Sequence, residues 1–251
     1  MRKILYLAFA IGLLSSCDSG DIEEKAYAIT STGQTVKMTA KVSGLESWDE
    51  AYSIALAGFD GEQAYAIMQR ALPLPIADGT EIEIELSNLT GQVNTVELAL
   101  TSPLRERILT LKSINLADYP ETQDTIHMDM GEVNLGLLGC LQKGVFDKAC
   151  IQCHGGNGGA GAAMLNLTEG HTMDNLVNTP STRIEGKMRV ANSDVNGSLL
   201  HQILAEGGEN ILHVNHTEIL SNQFRNNLTE VRQLIDDWIR SLEDGEWKIE
   251  D

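Results

Sequence analysis

Cys150-Ile151-Gln152-Cys153-His154 is a C-x-x-C-H run, and this stretch decides which fold we expect of the residues around it. Two thiols separated by two residues at the end of a helix can reach the two vinyl groups on one edge of a porphyrin, and the histidine that follows is carried beneath the iron. Thioredoxin-like redox pairs and zinc knuckles also contain C-x-x-C. A thioredoxin-like redox pair lies within a βαβ unit, and a zinc site of this type needs a second Cys/His pair at its own spacing. The sequence has neither. The stretch therefore predicts one covalently bound haem c, with His154 as an iron ligand.

Apolar residues at helical spacing lead into this motif and recur near the end of the chain. Leu138, Leu141, Val145 and Ala149 form a stripe that runs into the two cysteines. Cys140 lies within that stripe, and we expect it to be a small buried side chain. The second stripe consists of Leu228, Val231, Leu234, Ile235, Trp238 and Leu242. Residues 137–245 are therefore predicted to be helical.

This part of the chain resembles a known family. The residues that carry the resemblance are Val145-Phe146 through Gly155, Leu165-Asn166-Leu167-Thr168, Arg189-Val190, Asp194 to Leu200, and Asp237-Trp238-Ile239. They are similar to the single-haem cytochrome c domains attached to secreted proteins of Bacteroidetes and planctomycetes. The resemblance implies an all-α cytochrome c fold over residues 137–245.

The second iron ligand is where the sequence departs from that family. The resemblance implies a methionine in a Met-Pro pair before the last helix, but no methionine after the haem motif precedes a proline. Residues 212–216, Leu-His-Val-Asn-His, stand in that place. We expect His213 to be the second ligand, with His216 and Met188 as alternatives. An open coordination position is the remaining possibility.

The amino terminus has the pattern of an export signal. A basic start, Met1-Arg2-Lys3, precedes an apolar stretch, and Leu14-Ser15-Ser16-Cys17 resembles the lipobox of bacterial lipoproteins. We expect residues 1–16 to be a signal peptide, Cys17 to carry lipid, and residues 17–24 to be an acidic tether. An ordinary secretory signal with a chance cysteine is the alternative. The pattern predicts an extracytoplasmic lipoprotein, on a periplasmic, outer-membrane or cell-surface face, that binds the membrane through Cys17.

Residues 25–132 alternate between apolar and polar side chains. Val36, Met38, Ala40 and Val42 are separated by Lys and Thr, and further runs of this kind follow up to Met130. Alternation indicates strands with one wet face and one buried face. Residues 50–72 are ambiguous. The pattern predicts an antiparallel, immunoglobulin-like β-sandwich, which would make the chain a protein of two domains, one all-β and one all-α.

The net charge of the chain restricts the classes of partner that it can bind. The formal net charge is −18, from 36 acidic and 18 basic residues, which argues against nucleic acid as a partner. A single haem motif favours an electron carrier over an enzyme, so we expect one-electron transfer with a redox protein partner. The alternative is a surface binding lipoprotein whose β-sandwich engages a partner while the haem serves as a sensor or structural centre.

Overall fold

The computed structural model describes residues 33–46, 48, 51–61, 63–156 and 162–242. The predicted signal peptide 1–16, the lipidated Cys17 and the tether 17–24 lie outside the described residues. Residues Ser31–Asp251 form one compact unit. Within the described ranges, no helix is both long enough and apolar enough to cross a bilayer.

Strands occupy the first part of the described chain. They are β1 Thr35–Ser43, β2 Ser53–Phe59, β3 Met68–Ala71, β4 Thr80–Leu86, β5 Thr95–Thr101, β6 Arg107–Asn115 and β7 Thr125–Asn134. One sheet has the order β4-β1-β7, in which β1 is antiparallel to β4 and parallel to β7. The other sheet has the order β3-β2-β5-β6 and is antiparallel throughout.

The alternation predicted for β1 is confirmed. Val36 and Met38 are fully buried, whereas Lys37 between them points outward and lies 2.7 Å from a carboxylate oxygen of Glu83 on β4. Strand β2 shows no such alternation, because six of its seven residues are buried. It lies between β3 and β5 and is covered on both faces, which explains why residues 50–72 gave an ambiguous pattern.

Helices follow β7 and are mostly short. They are α1 Leu137–Leu141, the π-helical segment Gln142–Cys150, α2 Ile151–His154, α3 Thr172–Leu176, α4 Leu199–Leu204, α5 His216–Gln223 and α6 Leu228–Ser241. The first three are consecutive and form one helical rod that ends at the haem motif. Turns and isolated β-bridges, such as Val177 with Val190, connect the later helices.

The predicted fold class is wrong. The chain is not an all-β sandwich joined to an all-α cytochrome c domain; it is a mixed α/β structure in which the helical rod packs on the second sheet. Gly144 in the π-helical segment lies so close to β6 that an added Cβ would be 2.8 Å from the Leu109 side chain. One cluster of buried apolar side chains runs from Val36 in β1 to Leu242 after α6. The core therefore crosses the point at which strands give way to helices.

Polar contacts cross the same junction. The Tyr52 hydroxyl, just before β2, donates to Asp237 of α6 at 2.5 Å. The Asn227 amide donates to the Ile108 carbonyl at 2.5 Å. Asn227 begins α6 without capping it through its side chain, because its amide is directed to β6 instead.

We expect Trp238→Ala to lower the free energy of unfolding by about 3–5 kcal/mol. Trp238 is 2% exposed and packs edge-on against Phe146, with ring centres 6.2 Å apart, so its removal leaves a cavity where α6 meets the helical rod. Denaturation in urea, followed by far-ultraviolet circular dichroism, measures the loss. Thr229→Ala on the exposed face of α6 is the control and should change stability by no more than about 0.5 kcal/mol. A loss below about 1 kcal/mol for Trp238→Ala would contradict the packing described for α6.

Candidate haem site

The predicted haem motif lies at the end of the helical rod. Cys150 ends the π-helical segment and is half-buried, whereas Cys153 in α2 is exposed, and both are free thiols. Burial raises the pKa of the Cys150 thiol to about 12, with the neighbouring Cys153 and Asp147 adding to that effect, so Cys150 is protonated at neutral pH. Segments of π-helix are rare and are frequently found at functional sites.

Cys140 is separate from this pair. Its side chain is fully buried, and its Sγ donates to the Leu135 carbonyl oxygen at 3.4 Å. Burial raises the pKa of the Cys140 thiol to about 12, which keeps it a thiol at neutral pH. A small buried side chain is what the sequence predicted for this cysteine.

An apolar cavity opens beside the two motif cysteines. The cavity volume is about 210 Å³, and the cavity is open to solvent on one side. The walls come from the helical rod, α3, α4, α5 and α6. The apolar lining includes Val145, Phe146, Leu165, Leu167, Leu176, Leu199, Leu200, Ile203, Leu204, Leu220 and Ile235. Cys150, Cys153 and His154 form part of the same wall, so all three motif side chains face one cavity.

His154 has a fixed ring orientation. Its Nδ1 lies 2.9 Å from the Ala162 carbonyl oxygen, which can only accept, so Nδ1 carries the proton. The lone pair of the ring is then on Nε2. Burial lowers the pKa of His154, against the opposing effect of the Ala162 hydrogen bond, and the neutral ring is therefore favoured. A backbone carbonyl on the second ring nitrogen is the usual support of a metal-binding histidine.

His216 is held in the same way from another element. It is the first residue of α5, and its Nδ1 donates to the Val214 carbonyl oxygen at 3.0 Å. The start of α5 is fixed by Asn215, whose side-chain oxygen accepts from the Glu218 N–H at 3.0 Å. Burial lowers the pKa of His216 as well, and the nearby His213 lowers it further. His216 therefore also presents an unprotonated Nε2.

The rings of His154 and His216 are stacked neighbours in this cavity. Their ring centres are 6.2 Å apart and their planes differ by 13°. A metal–imidazole bond is about 2 Å long and the ring centre lies about 1.1 Å behind the nitrogen, so two imidazoles on opposite sides of one metal have ring centres roughly 6 Å apart. The observed separation agrees with that value.

The other two candidate ligands are placed differently from His216. His213 also lines the cavity, but its side chain is exposed. Met188 is 39% exposed, bridges to Pro180 and Ser198 through its backbone, and is not one of the described residues that line the cavity. The geometry thus favours His216 over His213, which reverses the order of preference that the sequence gave.

A buried cation forms another part of the wall. Arg189 is 8% exposed, and its guanidinium donates to the carbonyl oxygens of Asn175 at 2.8 Å and Ala163 at 2.9 Å. In the described part of the chain no carboxylate forms an ion pair with it. Burial lowers the pKa of Arg189, yet a guanidinium remains charged at neutral pH. Arg183 also lines this largely apolar cavity, so positive charge beside apolar walls suits a ligand that is apolar with an anionic end, as haem is with its carboxylates.

Sequence reasoning missed a buried polar group that ties the site together. Gln142 is 4% exposed; its amide donates to the Leu167 carbonyl oxygen at 2.8 Å, and its carbonyl accepts from the Thr172 hydroxyl at 2.5 Å. These bonds join the π-helical segment to the loop and the helix that form the opposite wall. The sequence feature that could have identified this group is Gln142 itself, a polar residue at a position within the apolar helical stripe.

Comparison of the chain with family models, curated proteins and solved structures found no match in any of the three. A functional assignment therefore depends on the residues of the site. The resemblance to cytochrome c domains stays a prediction from the motif.

Proposed function

We propose that the chain is a lipid-anchored, extracytoplasmic c-type cytochrome that carries one haem and transfers single electrons. The observation that supports this most strongly is the pair His154 and His216, whose ring separation suits one iron and whose Nδ1 protons are both held by backbone carbonyls. The thiols of Cys150 and Cys153 face the same cavity and are free for thioether formation. The cavity has the apolar lining that a porphyrin needs.

Each group in the site has a separate task. Bound haem would supply a one-electron couple, with iron changing between the ferric and ferrous states. The neutral imidazoles of His154 and His216 would hold the iron of a bound haem through their Nε2 atoms, because the Nδ1 atom of each ring is bonded to a backbone carbonyl. Arg189 holds a positive charge against the anionic end of the group, and the apolar walls exclude water from the rest. Two histidine ligands whose rings are fixed by backbone carbonyls would suit electron transfer, because they need not move when the haem gains or loses an electron.

A potentiometric titration tests this function. We expect a single reversible wave with one electron per chain, and reduced protein that does not take up carbon monoxide, because both axial positions are filled. The protein is to be made with a c-type haem maturation system and titrated under anaerobic conditions. Rapid binding of carbon monoxide by the reduced wild-type protein would mean an open site and would contradict the proposal.

Attachment to the membrane through Cys17 is a separate prediction. We expect the native protein to partition into detergent and to carry acyl chains on Cys17, because the residues before it resemble a lipobox. Cys17→Ala should release the protein in soluble form with its haem spectrum unchanged. Mass spectrometry of the mature amino terminus decides the question. Soluble mature protein with an unmodified Cys17, made from the wild-type gene, would contradict the prediction.

The proposed partner is a second redox protein. Electron carriers exchange electrons through an encounter in which the exposed cofactor edge approaches the partner. With a formal charge of −18, the chain would associate fastest with a basic surface at low ionic strength. Nucleic acid is not a proposed partner.

A further inference from the structure

A second cavity lies at the junction of the sheet and the helices, and none of its lining residues borders the haem cavity. Strand β6 provides Arg107, Leu109 and Thr110, and the π-helical segment provides Lys148. The end of α5 and the loop before α6 provide residues 222–227, and Ala64 completes the lining. The cavity volume is about 430 Å³, and most of its lining side chains are polar or charged.

The charges on this cavity are opposite in sign to those of the chain as a whole. Three cations line it, Arg107, Lys148 and Arg225, and no carboxylate in the described residues does so. Arg107 is already neutralised, because its Nε lies 3.1 Å from a carboxylate oxygen of the buried Glu97. Lys148 and Arg225 have no such partner in the described part of the chain. The cavity therefore carries an excess of two positive charges in a protein whose net charge is −18.

Lys148 is held in place for an incoming ligand. Its Nζ donates to the Thr110 carbonyl oxygen, which leaves the ammonium group with further donors to offer. The side chain is half-buried, and burial lowers the pKa of Lys148 while the charge of Glu97 acts in the opposite direction. Burial removes water from this ammonium group, and an anion placed beside it would replace the lost interactions with water.

Hydrogen-bond donors surround this charge without partners of their own. The side chains of Asn222, Gln223, Arg225 and Asn226 all line the cavity, and in the described structure none of them forms a hydrogen bond or ion pair. A ligand with several oxygen atoms would satisfy amide, guanidinium and ammonium donors together. Carboxylates and phosphates have that chemistry.

We propose that this cavity binds a small oxyanion, a carboxylate or a phosphate, between Lys148 and Arg225. The amides of Asn222, Gln223 and Asn226 serve as further donors to its oxygen atoms. The site does not depend on the haem, because the two cavities share no residues. Lys148 nevertheless lies two positions before Cys150 on the same helical segment, so the occupied cavity would be adjacent to the haem attachment point in the chain.

Calorimetric titration of the full haem-loaded chain tests this proposal, with inorganic phosphate as one probe and succinate as the other, at low ionic strength. We expect saturable binding of at least one anion with a dissociation constant of about 1 mM or below. Lys148→Met and Arg225→Gln should each weaken that binding about tenfold, the effect of losing one charge-assisted hydrogen bond. Arg225 is exposed, so its replacement tests the site without risk to the fold.

Lys143→Met is the matched control, because Lys143 is in the same π-helical segment but pairs with Glu169 at 3.7 Å outside this cavity. It should leave the affinity unchanged. Tighter binding of phosphate would identify the ligand as a phosphate, and tighter binding of succinate would identify it as a carboxylate. Absence of saturable binding by either anion, or an equal loss in Lys143→Met, would overturn the proposal, since the second result would mean bulk electrostatics only.

Discussion

His216→Ala will open the haem site. The ferric spectrum should change from low-spin to high-spin, the reduction potential should rise, and the reduced protein should bind carbon monoxide. The physical reason is that the ring centre of His216 lies 6.2 Å from that of His154, and the hydrogen bond from its Nδ1 to Val214 leaves its Nε2 free to bind iron. Removing one of two imidazoles leaves an axial position to water, which is a weaker ligand. Absorption spectra of the oxidised and reduced protein report the spin state and carbon monoxide binding, and a potentiometric titration gives the reduction potential.

His213→Ala is the matched control for this experiment. His213 is three residues away, has the same side chain and lines the same cavity, but its side chain is exposed. Its replacement should leave the spin state and the carbon monoxide behaviour unchanged. If His213→Ala opened the site and His216→Ala did not, the ligand would be His213 and the geometric argument for His216 would fail.

Replacing both Cys150 and Cys153 with alanine will abolish covalent haem. Each thiol adds across a vinyl group, so loss of both leaves no bond between chain and porphyrin. The wild-type band on a denaturing gel should stain for haem peroxidase activity, and the band of the double variant should not. The loss should be complete, because no other described thiol faces the haem cavity.

Cys140→Ala is the control for the cysteine experiment. Cys140 is fully buried and hydrogen-bonded to Leu135, away from the haem cavity, so its replacement should leave the staining unchanged. A stained band that survived the double replacement would contradict covalent attachment at the C-x-x-C-H motif.

Secondary structure could be predicted wherever one face of a strand or helix is exposed to solvent and the other is buried. Strand β1 alternates between buried Val and Met and outward Lys and Thr, and helix α6 repeats its apolar residues at helical spacing, so both were recognised. Strand β2 could not be recognised in this way, because it is buried on both faces and its pattern is continuous.

The fold class could not be predicted, because periodicity reports which face of an element is buried and not what covers it. The close approach of Gly144 to Leu109, and the bond from Asn227 to Ile108, join the helices to β6. Neither contact leaves a periodic signal in the sequence. Two stretches of different periodicity were therefore read as two domains, although one core unites them.

The candidate site was predicted in part. The motif residues are close together in sequence, so their common cavity follows from local geometry. The choice between His213 and His216 depends on where α5 begins. Asn215 followed three residues later by Glu218 is a capping signal, and it would have placed His216 in the first turn of a helix. The role of Arg189 required the fold, because its partner Asn175 lies in α3 and its partner Ala163 in a separate segment of the chain.

The most direct test of the central claim is the low-temperature electron paramagnetic resonance spectrum of the oxidised wild-type protein, recorded with its near-infrared magnetic circular dichroism. Together they identify both axial ligands of a haem without any mutation. The pair His154 and His216 predicts a single low-spin ferric species with the near-infrared band of two imidazoles. A methionine–iron band, or a high-spin species with water bound, would contradict bis-histidine ligation.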